Sequence, residues 1–171
     1  MMLRVALLAS VLAAGSVIAA PPELSGRVAA ERPAGCAEYR LLFFDLYRAE
    51  LWTDAATPPG RTFGLSLIYR RAFGHDELVS SSISEMARMS DRPEESFGAA
   101  RSELWRAFRD VAEGDRYTAW RHDSDRVEFF YNGKTTGHLT HDADLFLDIW
   151  LGSQSRDRER QAALLSGRCD D

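Results

Sequence analysis

Two side chains at the end of a predicted strand have the chemistry to hold an acid. Tyr69 and Arg71 are separated by one residue, so in an extended chain they lie on the same face. A phenol and a guanidinium beside an apolar cleft can bind a carboxylate together. This pair is the first candidate ligand site, with three further candidate wall residues: Tyr47, Arg48 and Trp105. The structural alternative is that Arg71 pairs with an acid of the next helix, Glu77 or Glu85.

The sequence favours no metal, cofactor or nucleophile. The only group that resembles metal ligands lies around one predicted helix start: His138, His141, Asp142 and Asp144. Acids at that position more simply complement a helix N-terminus. The serines near His75 follow no G-x-S-x-G pattern, and no glycine-rich phosphate-binding motif occurs. We therefore predict no metal, no cofactor and no assigned catalytic residue.

Composition indicates one folded domain that does not bind nucleic acid. The chain has 171 residues, of which 45% are hydrophobic and 11% aromatic, enough for a substantial core. Its 21 basic and 26 acidic residues give a net charge of −5, the wrong sign for a phosphate backbone. These numbers predict no particular protein partner.

The N-terminal segment is typical of an export signal. Met1 to Arg4 is short and basic, Val5 to Ile18 is apolar, and small residues precede a cleavage site after Ala19. We predict a signal peptide at 1–19, a lead-in at 20–34 and a domain at 35–171. The apolar stretch is too short for a membrane anchor, and no other segment of the mature chain predicts a span. The expected location is periplasmic or secreted.

The two cysteines suit an oxidising compartment. Cys36 and Cys169 lie near the two ends of the predicted domain, and an even number of cysteines in an exported protein favours pairing. We predict a structural disulfide between them. The alternatives are free thiols or an intermolecular bridge.

The first half of the mature chain predicts strands followed by helices. A short pairing strand is expected at Glu23 to Val28, and an apolar run from Tyr39 to Trp52 predicts a central strand covered on both faces. Alternation predicts a second strand from Phe63 to Tyr69. Helical spacing then predicts one helix over His75 to Met89 and another that runs from about Phe97 until Gly114.

The second half predicts a three-stranded meander and two helices. The strands are expected at 116–121, 126–131 and 134–139, with Asn132-Gly133 as a hairpin turn. Gly152 and Gly167 end the two helices. Strands, a helical pair, a meander and further helices are the order of an α+β protein with one antiparallel sheet and its helices on one face.

These residues resemble the bacterial chalcone isomerase-like proteins. The resemblance covers nearly the whole mature chain and rests on an ordered set of short motifs: Gly35-x-Ala37, Leu46-Tyr47, Leu51-Trp52, Tyr69-x-Arg71, Trp105 with Phe108 to Val111, Gly114-Asp115, Tyr131-Asn132-Gly133-Lys134, Ile149-Trp150-Leu151-Gly152 and Leu164-Leu165. It implies the chalcone isomerase fold, an open-faced β-sandwich, in agreement with the α+β order.

The resemblance implies ligand binding more than catalysis. The family contains plant enzymes that cyclise chalcones and relatives that bind fatty acids or haem, and in both an arginine near the first core strand holds the anionic end of the ligand. Here that position falls near Ala37, with Arg40 three residues later. The threonine of the plant cyclisation site falls near Leu42. The chain therefore lacks the residues expected for chalcone cyclisation.

We predict an exported, noncatalytic chalcone isomerase-like protein that binds a small amphipathic or fatty-acid-like ligand between sheet and helices. Two alternatives remain open at this point. One is an isomerase or lyase acting on an unidentified small substrate, which requires a cleft tyrosine or arginine with a perturbed pKa. The other is a structural or interaction protein with a closed core.

Overall fold

One antiparallel sheet organises the chain. The computed structural model describes residues 19–123 and 125–169, so the predicted signal segment lies outside the described residues except for Ala19. Six strands pair in chain order: β1 (Gly35–Leu41), β2 (Phe44–Trp52), β3 (Phe63–Tyr69), β4 (Arg116–Arg121), β5 (Val127–Tyr131) and β6 (Lys134–Leu139). The helices are α1 (His75–Ser90), α2 (Gly98–Ala107), α3 (Ala143–Leu151) and α4 (Arg158–Leu165).

The helices cover one face of the sheet, as predicted. In β3 the alternate residues Phe63, Leu65 and Leu67 are buried in the main core. All four helices contribute buried residues to that core, among them Val79, Leu104, Phe146 and Leu164. The apolar side chains on one face of the strands thus pack against the apolar faces of the helices, which gives the α+β architecture.

The opposite face has a small core of its own. Leu24 packs there against Trp52, Trp120 and Phe130. Gly64 permits this approach, because a Cβ at that position would lie 2.7 Å from Leu24 Cδ1. The chain at 22–24 forms a short 3₁₀ helix and is followed only by an isolated bridge, so the strand predicted at 23–28 was wrong. This segment is attached by side chains and not by ladder hydrogen bonds.

The apolar run at 39–52 forms a hairpin and not one central strand. β1 and β2 pair antiparallel, with Tyr39 opposite Tyr47 and Leu41 opposite Phe44. β1 is the edge of the sheet. The prediction was wrong because the turn contains Leu42 and Phe43, and no glycine, asparagine or proline marks it.

The second predicted helix is shorter than expected. α2 begins after a 3₁₀ turn at Glu94–Phe97 and ends at Ala107, where Phe108 turns into an extended conformation (φ −82°, ψ 161°). Beyond it, Val111 exchanges two backbone hydrogen bonds with Phe73, each 3.0 Å long. Phe108 and Val111 are buried as predicted, but an extended segment and not a helix buries them.

The other elements lie within a few residues of their predicted positions. Asn132 and Gly133 have φ values of 47° and 84°, the pair of positive angles that a type I′ hairpin turn requires. The Asn-Gly prediction is therefore confirmed.

A disulfide ties β1 to the residues after α4. Cys36 and Cys169 are bonded, with their Cα atoms 4.8 Å apart and 133 positions apart in sequence, as predicted. Among the described helices, none combines the length and the hydrophobicity that crossing a bilayer requires.

Candidate ligand cavity

A cavity of about 400 Å³ lies between the sheet and the helices. Strands β3 to β5 supply its floor, and helices α1 and α3 supply much of its cover. Its deepest part is apolar, with Leu65, Phe129 and Phe146 all nearly inaccessible to solvent. The volume falls within the roughly 300 to 1,000 Å³ typical of small-molecule sites.

The lining residues that remain exposed mark the entrance. They are Leu41 at the end of β1, Arg71 after β3, and Glu77 and Ser81 on the first turns of α1. The entrance is therefore polar and charged, whereas the interior is hydrophobic. This gradient suits an amphipathic molecule with its charged end outermost.

Two phenols lie in the wall between the entrance and the interior. Tyr47 and Tyr69 are paired across β2 and β3, with ring centroids 5.9 Å apart. The Tyr47 hydroxyl accepts a hydrogen bond of 3.0 Å from Trp150 Nε1, so its own proton is still available for donation. In the described chain the Tyr69 hydroxyl makes no hydrogen bond. Both phenols can therefore donate to a ligand oxygen.

Burial keeps these phenols protonated. It raises the pKa of Tyr47 to about 12, despite the hydrogen bond from Trp150 that acts in the opposite direction. It also raises the pKa of Tyr69 far above its ordinary value of about 10, with Tyr47 adding to the shift. At neutral pH both side chains are hydrogen-bond donors and neither is a base.

Arg71 is held at the entrance by aromatic rings. Its guanidinium carbon lies 5.4 Å from the ring centroid of Phe44 and 5.6 Å from that of Phe73. Phe73 in turn lies 5.7 Å from Tyr69. Arg71 forms no ion pair within the described residues, so the pairing with Glu77 or Glu85 considered above is not observed. Its charge is thus available to an anion.

The remaining wall candidates lie elsewhere. Arg48 points to the other face of the sheet, where it contacts Glu38 at 3.4 Å and Glu50 at 3.2 Å. Trp105 lies on α2 and contacts His75 in a tilted arrangement, with ring centroids 4.1 Å apart and an angle of 55° between the ring planes. Neither residue lines the cavity. Conversely, Phe73 and Trp150 do line it, and sequence reasoning did not select them because aromatic residues of this kind usually belong to a core.

The histidine and aspartate group is used for structural contacts. His141 pairs with Glu103 at 3.0 Å, Asp142 with Arg92 at 2.6 Å and Asp144 with Arg121 at 2.8 Å. In the ranges that the structure describes, no three His, Cys, Asp or Glu residues are grouped as metal ligands.

The fold is identified by the order of its strands and helices and by the cavity between them. It is the chalcone isomerase-like fold. The structure is similar to that of the fatty-acid binding protein of Arabidopsis thaliana, with a TM-score of 0.51 over 78% of this chain and 86% of that chain. The two sequences are 12% identical, so this likeness establishes the fold alone. The sequence matches no family model and no curated protein.

Proposed function

We propose that the protein is an exported, noncatalytic chalcone isomerase-like protein that binds a fatty-acid-like molecule in its cavity. One observation carries this proposal: an apolar cavity has Arg71, without an ion pair in the described chain, at its entrance. The Arabidopsis neighbour is named as a fatty-acid binding protein, which supports the same ligand class.

The polarity of the cavity assigns an orientation to the ligand. A carboxylate at the bottom, among Leu65, Phe129 and Phe146, would lose its hydration without a cationic partner, which is costly. At the entrance it meets Arg71 and the hydroxyl of Tyr69. The acyl chain then fills the interior, where each buried methylene contributes about 0.8 kcal/mol.

The alternatives receive less support. An isomerase that uses a tyrosine base is disfavoured because burial raises the pKa of both Tyr47 and Tyr69, so they remain neutral. A structural protein with a closed core is disfavoured by a cavity of about 400 Å³ that opens to solvent.

Displacement of a fluorescent fatty acid by oleate tests the proposal. We expect saturable binding to the wild-type protein and an affinity for oleate that is about tenfold or more weaker in Arg71→Ala, because a charge-assisted contact is lost. Arg70→Ala is the matched control, since Arg70 is the adjacent exposed arginine, pairs with Glu38 and does not line the cavity. Methyl oleate lacks the charge, so its affinity should be the same for the wild type and for both variants.

Two results would contradict the proposal. One is the absence of saturable oleate binding to the wild-type protein, and the other is an equal loss of affinity in both arginine variants. Export is tested separately by the intact mass of the protein secreted by its expression host. A chain that begins at Ala20 and carries the disulfide is expected, and a retained N-terminal segment would refute the signal peptide.

A further inference from the structure

The turn between β1 and β2 exposes an unusual run of apolar side chains. In the described ranges the exposed large hydrophobic residues are Trp105 and four consecutive residues, Leu41–Phe44, which we name the hairpin tip. Phe43 is 98% exposed and Leu42 is 83% exposed. A contiguous apolar patch of this kind marks an interaction surface more often than chance exposure does.

Folding does not account for the two residues of the turn itself, Leu42 and Phe43. Leu42 has a φ of 54°, a left-handed conformation that glycine or asparagine adopts more readily than leucine. A tight hairpin turn of this length usually contains polar or glycine residues. The tip therefore carries large apolar side chains where the fold requires none.

Arginines surround the base of the hairpin tip. Arg40 immediately precedes it and pairs with the exposed Asp45. Arg70, which pairs with Glu38, donates its backbone N–H to Leu46 and therefore lies level with the first residues of β2. Arg71 lies over the ring of Phe44. Apolar side chains projecting beyond a group of arginines match a lipid interface, where acyl chains lie below phosphate groups.

The shape of the tip favours a membrane over a protein. It is a turn of four consecutive exposed residues, whereas a stable protein interface takes about 20 to 30 residues from each partner. It is also continuous with the cavity, because Leu41 belongs both to the tip and to the cavity lining. A surface that inserts at this point brings the entrance to the lipid headgroups.

We propose that the hairpin tip inserts into the surface of a bilayer that contains anionic lipid. Leu42 and Phe43 enter the acyl region, and the arginines at the base contact the phosphates. The entrance, with Arg71, then faces the membrane, so an amphipathic ligand passes between bilayer and cavity without crossing bulk water. The membrane docking does not depend on the proposed function, whereas this path for the ligand rests on it.

Vesicle flotation tests the docking. We expect the wild-type protein to float with phosphatidylglycerol vesicles and to bind phosphatidylcholine vesicles less. Leu42→Ser with Phe43→Ser should weaken binding to phosphatidylglycerol by about a hundredfold, since burial of each large apolar side chain contributes about tenfold or more. Trp105→Ser is the matched control, because Trp105 is the exposed large hydrophobic residue outside the tip, and it should bind like the wild type.

Three results would overturn the docking: no binding of the wild type to either vesicle, unchanged binding of the double variant, or the same loss in Trp105→Ser. If sedimentation instead shows a dimer of the wild type that the double variant does not form, the tip binds a second copy of the chain. Oleate displacement in vesicle-free solution separates the two proposals. Leu42 and Phe43 do not line the cavity, so the double variant should bind oleate like the wild type.

Discussion

The indole nitrogen of Trp150 donates a hydrogen bond of 3.0 Å to the hydroxyl of Tyr47, which joins α3 to β2 in the cavity wall. The neighbouring phenol, Tyr69, has no such partner in the described chain. Two tyrosines on one face of the sheet are therefore placed for different roles. The hydroxyl of Tyr47 stabilises the fold as an acceptor and keeps its own proton for donation, whereas that of Tyr69 is available to a ligand alone.

Removing each hydroxyl separates these roles. Tyr47→Phe leaves the buried Trp150 N–H without its acceptor and should lower the free energy of unfolding by about 1 to 3 kcal/mol. Tyr69→Phe should leave stability nearly unchanged but weaken oleate binding about tenfold. Urea unfolding and oleate displacement measure the two effects. The assignment fails if the larger loss of stability occurs in Tyr69→Phe.

The five tyrosines should titrate unusually late. Burial raises the pKa of Tyr47 and of Tyr117 to about 12, and it raises those of Tyr39 and Tyr69 further. The pKa of Tyr131 is raised chiefly by its hydrogen bond to Asp115. Near pH 10, where each tyrosine of the unfolded chain is half ionised, we therefore expect the folded protein to show much less tyrosinate absorbance than the unfolded chain.

The same shifts set an alkaline limit on stability. Because these folded-state pKa values lie above the unfolded value, their contribution to stability is complete below about pH 10 and is lost as the pH rises through about 12. Tyrosinate absorbance should appear together with loss of the folded circular-dichroism signal. A gradual titration around pH 10 in the folded protein would contradict this expectation.

The sequence predicted the strands whose turns have chemical markers. Asn132-Gly133 identified the β5–β6 hairpin because only residues that tolerate two positive φ angles form that turn. Leu42 and Phe43 turn the chain equally sharply without any marker, so the sequence pattern predicts one strand in place of the β1–β2 hairpin. A turn shaped by exposed apolar residues contradicts the usual composition of turns, and local pattern alone cannot reveal it.

Strand alternation was the sequence pattern that predicted part of the candidate site. Alternation placed Tyr69 and Arg71 on one face, and both line the same cavity. Parity along β2 puts Tyr47 and Arg48 on opposite faces, so only Tyr47 could share that cavity. Phe73 and Trp150 enter the lining through tertiary packing, which sequence spacing does not encode.

Loss of the disulfide should destabilise the protein strongly. The bond closes a loop whose ends are 133 positions apart, for which the chain-entropy model gives about 5 kcal/mol as an upper value. We expect the Cys36→Ser and Cys169→Ser double variant to unfold at a much lower urea concentration than the wild type. Reduction of the wild type should reproduce the shift, and an unchanged midpoint would show that the bond contributes little.

Glu23 should be the main attachment of the N-terminal segment to the sheet. Its carboxylate accepts two hydrogen bonds from Arg116, at 3.1 and 3.0 Å, and one of 2.6 Å from Thr118. The side chain of Glu23 is inaccessible to solvent. Glu23→Ala therefore breaks a buried ion pair and leaves Arg116 without its partner, which should cost about 3 kcal/mol. The exposed pair of Glu94 with Arg101 is the control, and Glu94→Ala should cost less than about 1 kcal/mol.

Acid should remove the contribution of Glu23 to the free energy of unfolding. Burial raises the pKa of its carboxyl, but the hydrogen bonds from Arg116 and Thr118 outweigh burial and hold it below its usual range. A lowered folded-state pKa means that the stabilisation is complete above the unfolded value of about 4.3 and is lost as the pH falls further. Urea unfolding at several pH values should therefore show the gap between wild type and Glu23→Ala closing in acid. A gap that stays constant would mean that packing of the segment, and not the charge of Glu23, holds it on the sheet.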